Sequence, residues 1–177
     1  LGRSDLTILN GEECVASGNS ASGVKLDNVN NITITETIFE SNEWSAIYQT
    51  GGSSSVISHN IFSNNQNYSQ DSNNKGGAIY SNMPSVEILS NDFYNNVATY
   101  GGAIYVNSGS PFIYDNLLSS NTSHLSGGAI YVGGSDSPVI KFNTIAGDIS
   151  SNNEGGAVFI SNSGSNRTVI NENIISD

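Results

Sequence analysis

The feature of this sequence that most constrains its fold is an internal repeat. The segment Gly-Gly-Ala-Ile-Tyr occurs at Gly76–Tyr80, Gly101–Tyr105 and Gly127–Tyr131, and it returns as Gly-Gly-Ala-Val-Phe at Gly155–Phe159. Its Ile or Val position recurs after 23, 32, 25, 26 and 28 residues. A repeat of this length, with short apolar segments and turn residues between them, is typical of a solenoid in which each copy forms one coil. We place the starts of the repeats near residues 22, 44, 76, 101, 127 and 155.

A second motif follows each copy and adds two columns of identical or similar residues. It reads Ile, two residues, Asn, one residue, an apolar residue, two residues and Asn, as in Ile57–Asn65. We expect the isoleucines to point inward and the asparagine amides to hydrogen-bond along the stack. The isoleucine column is Ile34, Ile57, Ile88, Ile113, Ile140 and Ile170. The asparagine column is Asn60, Asn91, Asn116, Asn143 and Asn173.

These columns predict an all-β fold, a right-handed single-stranded parallel β-helix (β-solenoid) of about six to seven coils with three short strands per coil. Each coil would bury three apolar side chains at about 1.5–3 kcal/mol each, which offsets a large ordering entropy. We expect one domain over residues 1–177, with 1–21 as a partial N-terminal coil. An antiparallel sandwich is the alternative, but it does not require identical residues at identical phases.

The charge composition excludes several classes of function. Five basic residues stand against 16 acidic ones, a net charge of −11, and only 12% of residues are charged. Nucleic-acid binding and attraction to anionic membranes both need clustered Lys and Arg. Membrane insertion is not predicted, because the sequence has no run of about 18 apolar residues. The single cysteine, Cys14, rules out an intrachain disulfide.

An aromatic column is predicted on the outer face of one strand in each coil. Side chains alternate along a strand, so Ile104 and Val106 point inward and the residue between them points outward. In the successive repeats the outward residues are Lys25, Tyr48, Tyr80, Tyr105, Tyr131 and Phe159. One interpretation is a stacking ladder that stiffens the sheet. The other is a binding strip for sugar rings or for another protein, since tyrosine combines an apolar ring with a polar hydroxyl.

No catalytic site is predicted from the acidic residues. Lyase chemistry needs an Arg or Lys base beside calcium-binding carboxylates, and hydrolases need a pair of carboxylates about 5–9.5 Å apart. Asp115 and Glu172 share a column, but they lie two coils apart with Phe142 between them. Glu36 and His59 are neighbours in that column, and we interpret them as a turn contact.

No metal site or cofactor is predicted either. Glu12, Glu13 and Cys14 are adjacent in sequence, and three adjacent residues rarely converge on one ion. A structural calcium ion bound in a turn is the alternative that the sequence leaves open, although Asp71, Asp136 and Asp148 are isolated from one another.

Four Asn-x-Ser/Thr sequons provide candidate glycosylation sites, at Asn31, Asn67, Asn121 and Asn166. Their number carries no signal in a chain with 26 asparagines. We expect Asn67 and Asn166 to be the better acceptors because they lie in predicted loops.

The repeat motifs resemble those of a known group of surface proteins. Copies of Phe-x-x-Asn occur at Phe39–Asn42, Phe62–Asn65 and Phe93–Asn96, with relaxed versions at Leu118–Asn121 and Ile145–Asp148. Together with the Gly-Gly-Ala-Ile segments, they resemble the repeats of the polymorphic outer-membrane proteins, a group of autotransporter adhesins, and more broadly parallel β-helix proteins of bacterial and archaeal surfaces. The resemblance implies an extracellular or cell-surface location and a non-enzymatic, adhesive or structural role.

These observations together predict a non-enzymatic, extracellular structural or adhesive β-solenoid. No capping helix is visible, so we expect either an excerpt of a longer solenoid or open ends that complete each other between subunits, and head-to-tail contact of the second kind generates fibres. The expected partners are therefore copies of the chain itself stacked end to end, other surface proteins, or glycans. The alternative function is that of a carbohydrate-binding or polysaccharide-degrading, lyase-like β-helix.

Overall fold

The computed structural model shows a chain wound into coils whose strands stack in parallel. It describes residues 6–8, 14–67, 74–134, 137–152, 154–161 and 167–176. Within these ranges all strand pairs of the sheets are parallel, and each pair joins one coil to the next. The parallel β-solenoid predicted from the repeat is thus confirmed, and the antiparallel sandwich is excluded. No helix among the described residues is long and apolar enough to cross a membrane.

Three sheets correspond to the three predicted strands per coil. Sheet A comprises Leu6–Ile8, Ile32–Thr35, Ser54–Ser58, Ser85–Leu89, Phe112–Tyr114, Val139–Lys141 and Val169–Asn171. Sheet B comprises Cys14–Ser17, Thr37–Glu40, Ile61–Ser63, Asp92–Tyr94, Leu117–Ser119, Thr144–Ala146 and Ile174–Ser176. Sheet C, which carries the Ile-Tyr part of the repeat, comprises Val24–Asp27, Ile47–Thr50, Ile79–Asn82, Ile104–Val106, Ile130–Gly133 and Val158–Ser161.

A fourth, short sheet was not predicted. Sheet D follows sheet B in the chain and precedes the glycine pair of the next coil. Its segments are mostly polar and lack the period-two apolar pattern that identifies a half-buried strand, so the sequence contains no strong strand signal there. Its strands are Gln66–Asn67, Val97–Tyr100, Thr122–Ser126 and Ile149–Ser150.

The isoleucine column forms the centre of the core. Its five members from Ile34 to Ile140 are completely buried. Ile170 is the exception, because 48% of its surface is exposed. It lies on the last described strand of sheet A, where it has a stacking neighbour, Ile140, on one side only. Ile170 therefore continues the column, but it is covered from one side only.

A column of phenylalanine rings packs beside the isoleucines. The ring centroids of Phe39 and Phe62 are 4.9 Å apart, and those of Phe62 and Phe93 are 4.8 Å apart. All three side chains are fully buried. The spacing is close to the distance between paired strands, so each ring stacks on the equivalent ring of the next coil.

The asparagine column forms a buried ladder of amide hydrogen bonds. The backbone N–H and the Nδ2 of Asn91 donate to Oδ1 of Asn116 at 3.0 and 3.1 Å. Nδ2 of Asn91 also lies 2.9 Å from the carbonyl oxygen of Ile57 and 3.0 Å from that of Leu89. Its Oδ1 accepts from the backbone N–H and Nδ2 of Asn60 at 2.9 and 3.0 Å. Each such amide therefore joins three successive coils.

A left-handed residue precedes each ladder asparagine and turns the chain from sheet A to sheet B. His59 and Ser90, for example, have φ angles of 55° and 51°. A non-glycine residue in this conformation costs of order 1 kcal/mol, which the buried hydrogen bonds of the next residue offset. The residues at this corner are Glu36, His59, Ser90, Asp115, Phe142 and Glu172.

A second amide ladder lies at the corner between sheets B and D. Nδ2 of Asn65 donates to Oδ1 of Asn96 at 2.9 Å, and Nδ2 of Asn96 donates to Oδ1 of Asn121 at 3.0 Å. Nδ2 of Asn42 donates to Asn65 in the same way at 2.7 Å. In the sequence these asparagines are the last residue of the Phe-x-x-Asn motif, and the motif alone does not indicate their structural role. The two motifs of the repeat thus form the same kind of corner twice per coil.

Asp148 continues this second ladder with a carboxyl group instead of an amide. Its Oδ1 accepts from the backbone N–H and Nδ2 of Asn121 at 2.7 and 2.8 Å. Its Oδ2 is buried and has no hydrogen-bond partner among the described residues. One rung earlier, the equivalent atom of Asn121 is an Nδ2 that donates to the Phe93 carbonyl oxygen at 3.2 Å. Burial raises the pKa of Asp148 from 3.8 to about 6, although the hydrogen bonds from Asn121 act in the opposite direction.

We expect substitution of a ladder amide to destabilise the fold strongly. Asn91→Ala leaves the Asn60 N–H groups and two carbonyl oxygens without their partner, so the free energy of unfolding should fall by about 2–4 kcal/mol in urea denaturation. Asn152→Ala removes an amide from an exposed turn and serves as the control, with a change within about 0.5 kcal/mol. Equal effects of the two substitutions would contradict a structural role for the ladder.

The carboxyl group of Asp148 should make stability depend on pH. The pKa of this carboxyl group is raised in the folded state to about 6. Its contribution to the free energy of unfolding is therefore fully present below about pH 4, and it is lost as the pH rises through about 6. We expect Asp148→Asn to be more stable than the wild type by about 1–2 kcal/mol at pH 8, after allowance for solvent screening. The difference should shrink towards pH 4 in parallel urea titrations. A difference that does not change with pH would show that the carboxyl group is not the cause.

Candidate functional site

The outward residues of sheet C form a ladder of nearly parallel rings. Strand pairing puts each tyrosine directly beside the tyrosine of the next coil. The planes of the tyrosine pairs differ by 8–10°, so the ring faces cover one another and the ring edges and hydroxyls are presented outward. The centroid distances are 4.7 Å for Tyr48–Tyr80, 5.7 Å for Tyr80–Tyr105, 4.8 Å for Tyr105–Tyr131 and 5.0 Å for Tyr131–Phe159. We call these five residues the tyrosine ladder.

The tyrosine ladder is not uniformly exposed. Tyr48, Tyr80, Tyr131 and Phe159 are half-buried, whereas only 5% of the surface of Tyr105 is exposed. The side chain of Tyr105 thus lies on the outer face of the sheet but is buried there by its neighbours.

Two lysines lie over rings of the ladder. The ammonium of Lys25 is 5.6 Å from the ring centroid of Tyr48, and that of Lys75 is 4.9 Å from the ring centroid of Tyr105. Both positions fit cation–π contacts, and Lys75 contributes to the cover over Tyr105. The sequence places Lys25 on this face, and Lys75 reaches it from the end of the longest connecting segment, directly before the glycine pair.

The environment of the ladder shifts the acidity of its phenols. Burial raises the pKa of Tyr105 well above its usual value of 10, and the neighbouring Tyr131 and Tyr80 add to the effect. The pKa of Tyr80 is also raised, first by burial and then by Tyr48. These phenols therefore remain protonated donors across the physiological range.

Trp44 adds an exposed aromatic face beside the ladder. It occupies the position of the first glycine in the repeat, and 51% of its surface is exposed. The equivalent glycines Gly76 and Gly101 have φ angles of 65° and 60°, a conformation that Trp44 does not share. The sequence contains a signal for Trp44 that the repeat pattern alone does not single out: the only tryptophan of the chain stands where the four later copies have glycine.

Three shallow hollows follow one another along the outer face of sheet C. Neighbouring hollows share a residue, and their rings belong to successive coils, so the row runs parallel to the solenoid axis. We call it the tyrosine groove. The first hollow, of about 300 Å³, is lined by Ser20, Ala21, Ser22, Lys25 and Trp44. The second, of about 260 Å³, is lined by Trp44, Tyr48, Asn67, Asn74, Lys75 and Tyr80. The third, of about 210 Å³, is lined by Lys75, Tyr100, Tyr105 and Tyr131.

The polar residues considered for catalysis lie at the corner between sheets A and B. Glu36, His59, Asp115 and Glu172 all adopt the left-handed turn conformation, with φ angles of 51° to 57°. The hydroxyl of Ser90 donates to Oδ2 of Asp115 at 3.0 Å. These side chains extend from turns outside the tyrosine groove, and none of them lines its three hollows.

No metal-binding cluster is present in the part of the chain that the structure describes: no three His, Cys, Asp or Glu residues come together there. Glu12, Glu13, Asp71 and Asp136 lie outside the described residues.

The structure changes the ranking of the candidate glycosylation sites. Asn67 lies in a strand of sheet D rather than in a loop, and its Nδ2 donates to Ser45 Oγ at 3.0 Å and to the Lys75 carbonyl oxygen at 2.9 Å. Asn121 is fully buried in the second amide ladder. Neither amide is accessible in the folded chain. Asn31 is exposed, and Asn166 lies outside the described residues.

Comparison with known proteins supports the architecture. A family model described as a right-handed beta helix region matches residues 2–174. No curated protein and no solved structure matches the chain.

The tyrosine ladder should be visible in an alkaline titration of the phenols. Because burial raises the pKa of Tyr105 and Tyr80, their ionisation should lag behind that of exposed tyrosines, and stability should fall as the pH rises above 10. Ultraviolet absorbance of phenolate measures this, and Tyr105→Phe should remove the last step of the titration. Tyr48→Phe is the control that should leave this last step in place. A single transition near pH 10 in the folded protein would contradict the stacked, buried arrangement.

Proposed function

Because the chain belongs to the right-handed β-helix family, we propose that it is a non-catalytic, extracellular adhesive module that binds saccharide chains in the tyrosine groove. The observation that carries the proposal is the row of three hollows on one face, with the exposed indole of Trp44 between the first and the second and with ladder tyrosines lining the second and the third.

The chemistry of the groove is matched to sugars. A pyranose ring has apolar C–H faces and a rim of hydroxyls. Trp44 provides an open aromatic face on which such a ring can stack. The phenol hydroxyls, the Asn74 amide and the Lys75 ammonium provide polar groups around it. The tyrosine rings of the ladder cover one another's faces, so they contribute hydroxyls and ring edges rather than stacking platforms.

A peptide ligand fits the same surface less well. An extended peptide usually binds by adding a strand to a free sheet edge, which supplies main-chain hydrogen bonds. The strands below the middle of the groove, such as Ile79–Asn82 and Ile104–Val106, are paired on both sides. Their backbone groups are therefore not available to a ligand on the outer face.

The lining of the groove also favours binding over bond cleavage. Hydrolysis of a glycoside requires a pair of carboxyl groups, and elimination requires a base beside bound cations. The described residues that line the three hollows include no Asp or Glu. Two lysines are present, and both are directed over aromatic rings.

The single tryptophan gives a direct test. Since Trp44 is half-exposed and lies in the groove, a bound saccharide should shift its fluorescence and protect it from a soluble quencher. A panel of neutral and acidic polysaccharides would be screened in this way, with calorimetry to give affinities. Reducing ends and unsaturated products would be measured in the same samples, and none should form.

Matched variants locate the site. Trp44→Ala should weaken binding by about tenfold, the effect expected when an aromatic platform is removed. Phe142→Asn is the control, because it removes another exposed aromatic ring, from the corner between sheets A and B. Release of products would replace the proposal with the polysaccharide-degrading alternative. Absence of binding across the panel, or equal loss in both variants, would refute it.

A further inference from the structure

The outer side of sheet A carries a second apolar surface, separate from the tyrosine groove. Phe112 and Tyr114 flank the buried Ile113, and the centroids of their stacked rings are 5.5 Å apart. The ring of Phe142, which is 44% exposed, lies edge-on to that of Tyr114 at 5.1 Å. Half-buried aliphatic side chains extend this surface into the neighbouring coils, and we call it the sheet A face. Its apolar members are Val56, Leu89, Phe112, Tyr114, Val139 and Val169.

Two opposite charges flank the aromatic strand at the centre of the sheet A face. Strand pairing puts the exposed Glu87 directly beside Phe112, in the preceding coil. It puts Lys141 directly beside Tyr114, in the following coil. The two charged residues are therefore two coils apart, and the rings of the central strand lie between them. Although the whole chain has a net charge of −11, this face carries one charge of each sign, one coil to either side of its centre.

We propose that the sheet A face is the interface of a weak dimer, in which two copies of this chain pack face to face. Their two-fold axis runs along the strand Phe112–Tyr114, which inverts the order of the coils in the second copy. Glu87 of each copy then meets the coil that carries Lys141 of the other, so two equivalent ion pairs form. Val56 of each copy likewise meets the coil that carries Val169 of the other, so apolar side chains face each other farther from the axis.

The other face-to-face arrangement, with the two-fold axis parallel to the solenoid axis, does not match the charges. It keeps each coil opposite itself and exchanges the two outward positions of every strand. Glu87 would then face Leu89 of the second copy. Lys141 would face Val139 of the second copy. All four charged groups would lose water without gaining a partner, which is costly. The sheet A face is therefore complementary to itself in one orientation, and this reciprocity favours a second copy over a foreign partner.

The size of the sheet A face indicates a weak, concentration-dependent dimer. Five strands about 4.8 Å apart and three residues of about 3.3 Å each give a face of roughly 24 by 10 Å. A standard interface buries about 800 Å² per partner, so we expect half-dissociation at roughly 10–100 µM. Asp115 weakens the contact, because it lies at the corner of the central coil and meets its own copy across the axis.

Reversal of the two charges tests the proposal. Sedimentation equilibrium of the wild type at micromolar to submillimolar concentrations should show a reversible equilibrium between monomer and dimer. Glu87→Lys and Lys141→Glu should each weaken dimerisation by about tenfold, because each brings like charges together at both pair positions. The double variant Glu87→Lys/Lys141→Glu recreates both pairs with exchanged signs, so its dissociation constant should return to within about threefold of the wild-type value.

A matched control separates the local charge pair from the net charge. Glu40→Lys makes the same substitution at an exposed position on sheet B. It reduces the net negative charge as much as Glu87→Lys does, so it should leave dimerisation unchanged or strengthen it slightly, the opposite of the effect at Glu87. Asp115→Asn removes the like-charge contact on the axis and should strengthen the dimer by about two- to fivefold. Thermal unfolding would confirm that all variants are folded.

Three results would overturn the proposal: a wild type that stays monomeric at all concentrations, equal effects of Glu40→Lys and Glu87→Lys, or a double variant that dimerises no better than the single ones. Growth beyond the dimer would also overturn it, because a closed two-fold interface stops at two copies. The proposal does not depend on saccharide binding, because the tyrosine groove lies on sheet C and its occupancy is measured separately through Trp44.

Discussion

Buried amide hydrogen bonds between successive coils are the interaction on which the rest of this structure depends. Each ladder asparagine accepts from the coil before it and donates to the coil after it, as Asn91 does between Asn60 and Asn116. Because the bonds are buried and each has a fixed length, the coils cannot slip relative to one another without leaving polar groups unpaired. The register of all the sheets, and with it the alignment of the outward side chains, follows from these corners.

The glycine pair has a complementary role on the opposite side of the coil. The first glycine, as in Gly101, has a left-handed φ of 60° that turns the chain into sheet C. The second allows the backbones of neighbouring coils to meet: a Cβ atom on Gly77 would collide with the carbonyl oxygen of Gly102. The amide ladders and the glycine contacts therefore set the same coil spacing on both sides of the cross-section. The tyrosine rungs inherit that spacing, which is why the groove has a regular period.

Much of this could be predicted from the sequence because the stacked coils of a solenoid carry similar residues at equivalent positions. Identical residues at identical phases, such as Ile57 and Ile88, have to meet when coils stack, and the structure has them paired in sheet A. The second amide ladder was harder to recognise, because Phe-x-x-Asn identifies a motif without saying that its last side chain turns inward. Sheet D and Asn67 were missed for a related reason: polar segments can be strands when their backbone pairs with the next coil, and no apolar pattern marks them.

The groove depends on residues that break the repeat rather than on those that follow it. Trp44 stands at a glycine position of the repeat, and Lys75, which follows the longest connecting segment of the sequence, lies over Tyr105. Each of these contacts occurs in one coil only, so the alignment of the repeats into columns cannot predict them. This is also why the burial of Tyr105 differs from that of its stacked neighbours.

The measurement that tests this account most directly is a crystal structure of the protein with a bound oligosaccharide selected from the polysaccharide panel. We expect density for saccharide in the tyrosine groove, with one sugar ring against the Trp44 indole and neighbouring units beside the Tyr48 and Tyr80 hydroxyls and the Lys75 ammonium. Density at the corner between sheets A and B, or anywhere else outside sheet C, would contradict the claim that the tyrosine groove is the binding site.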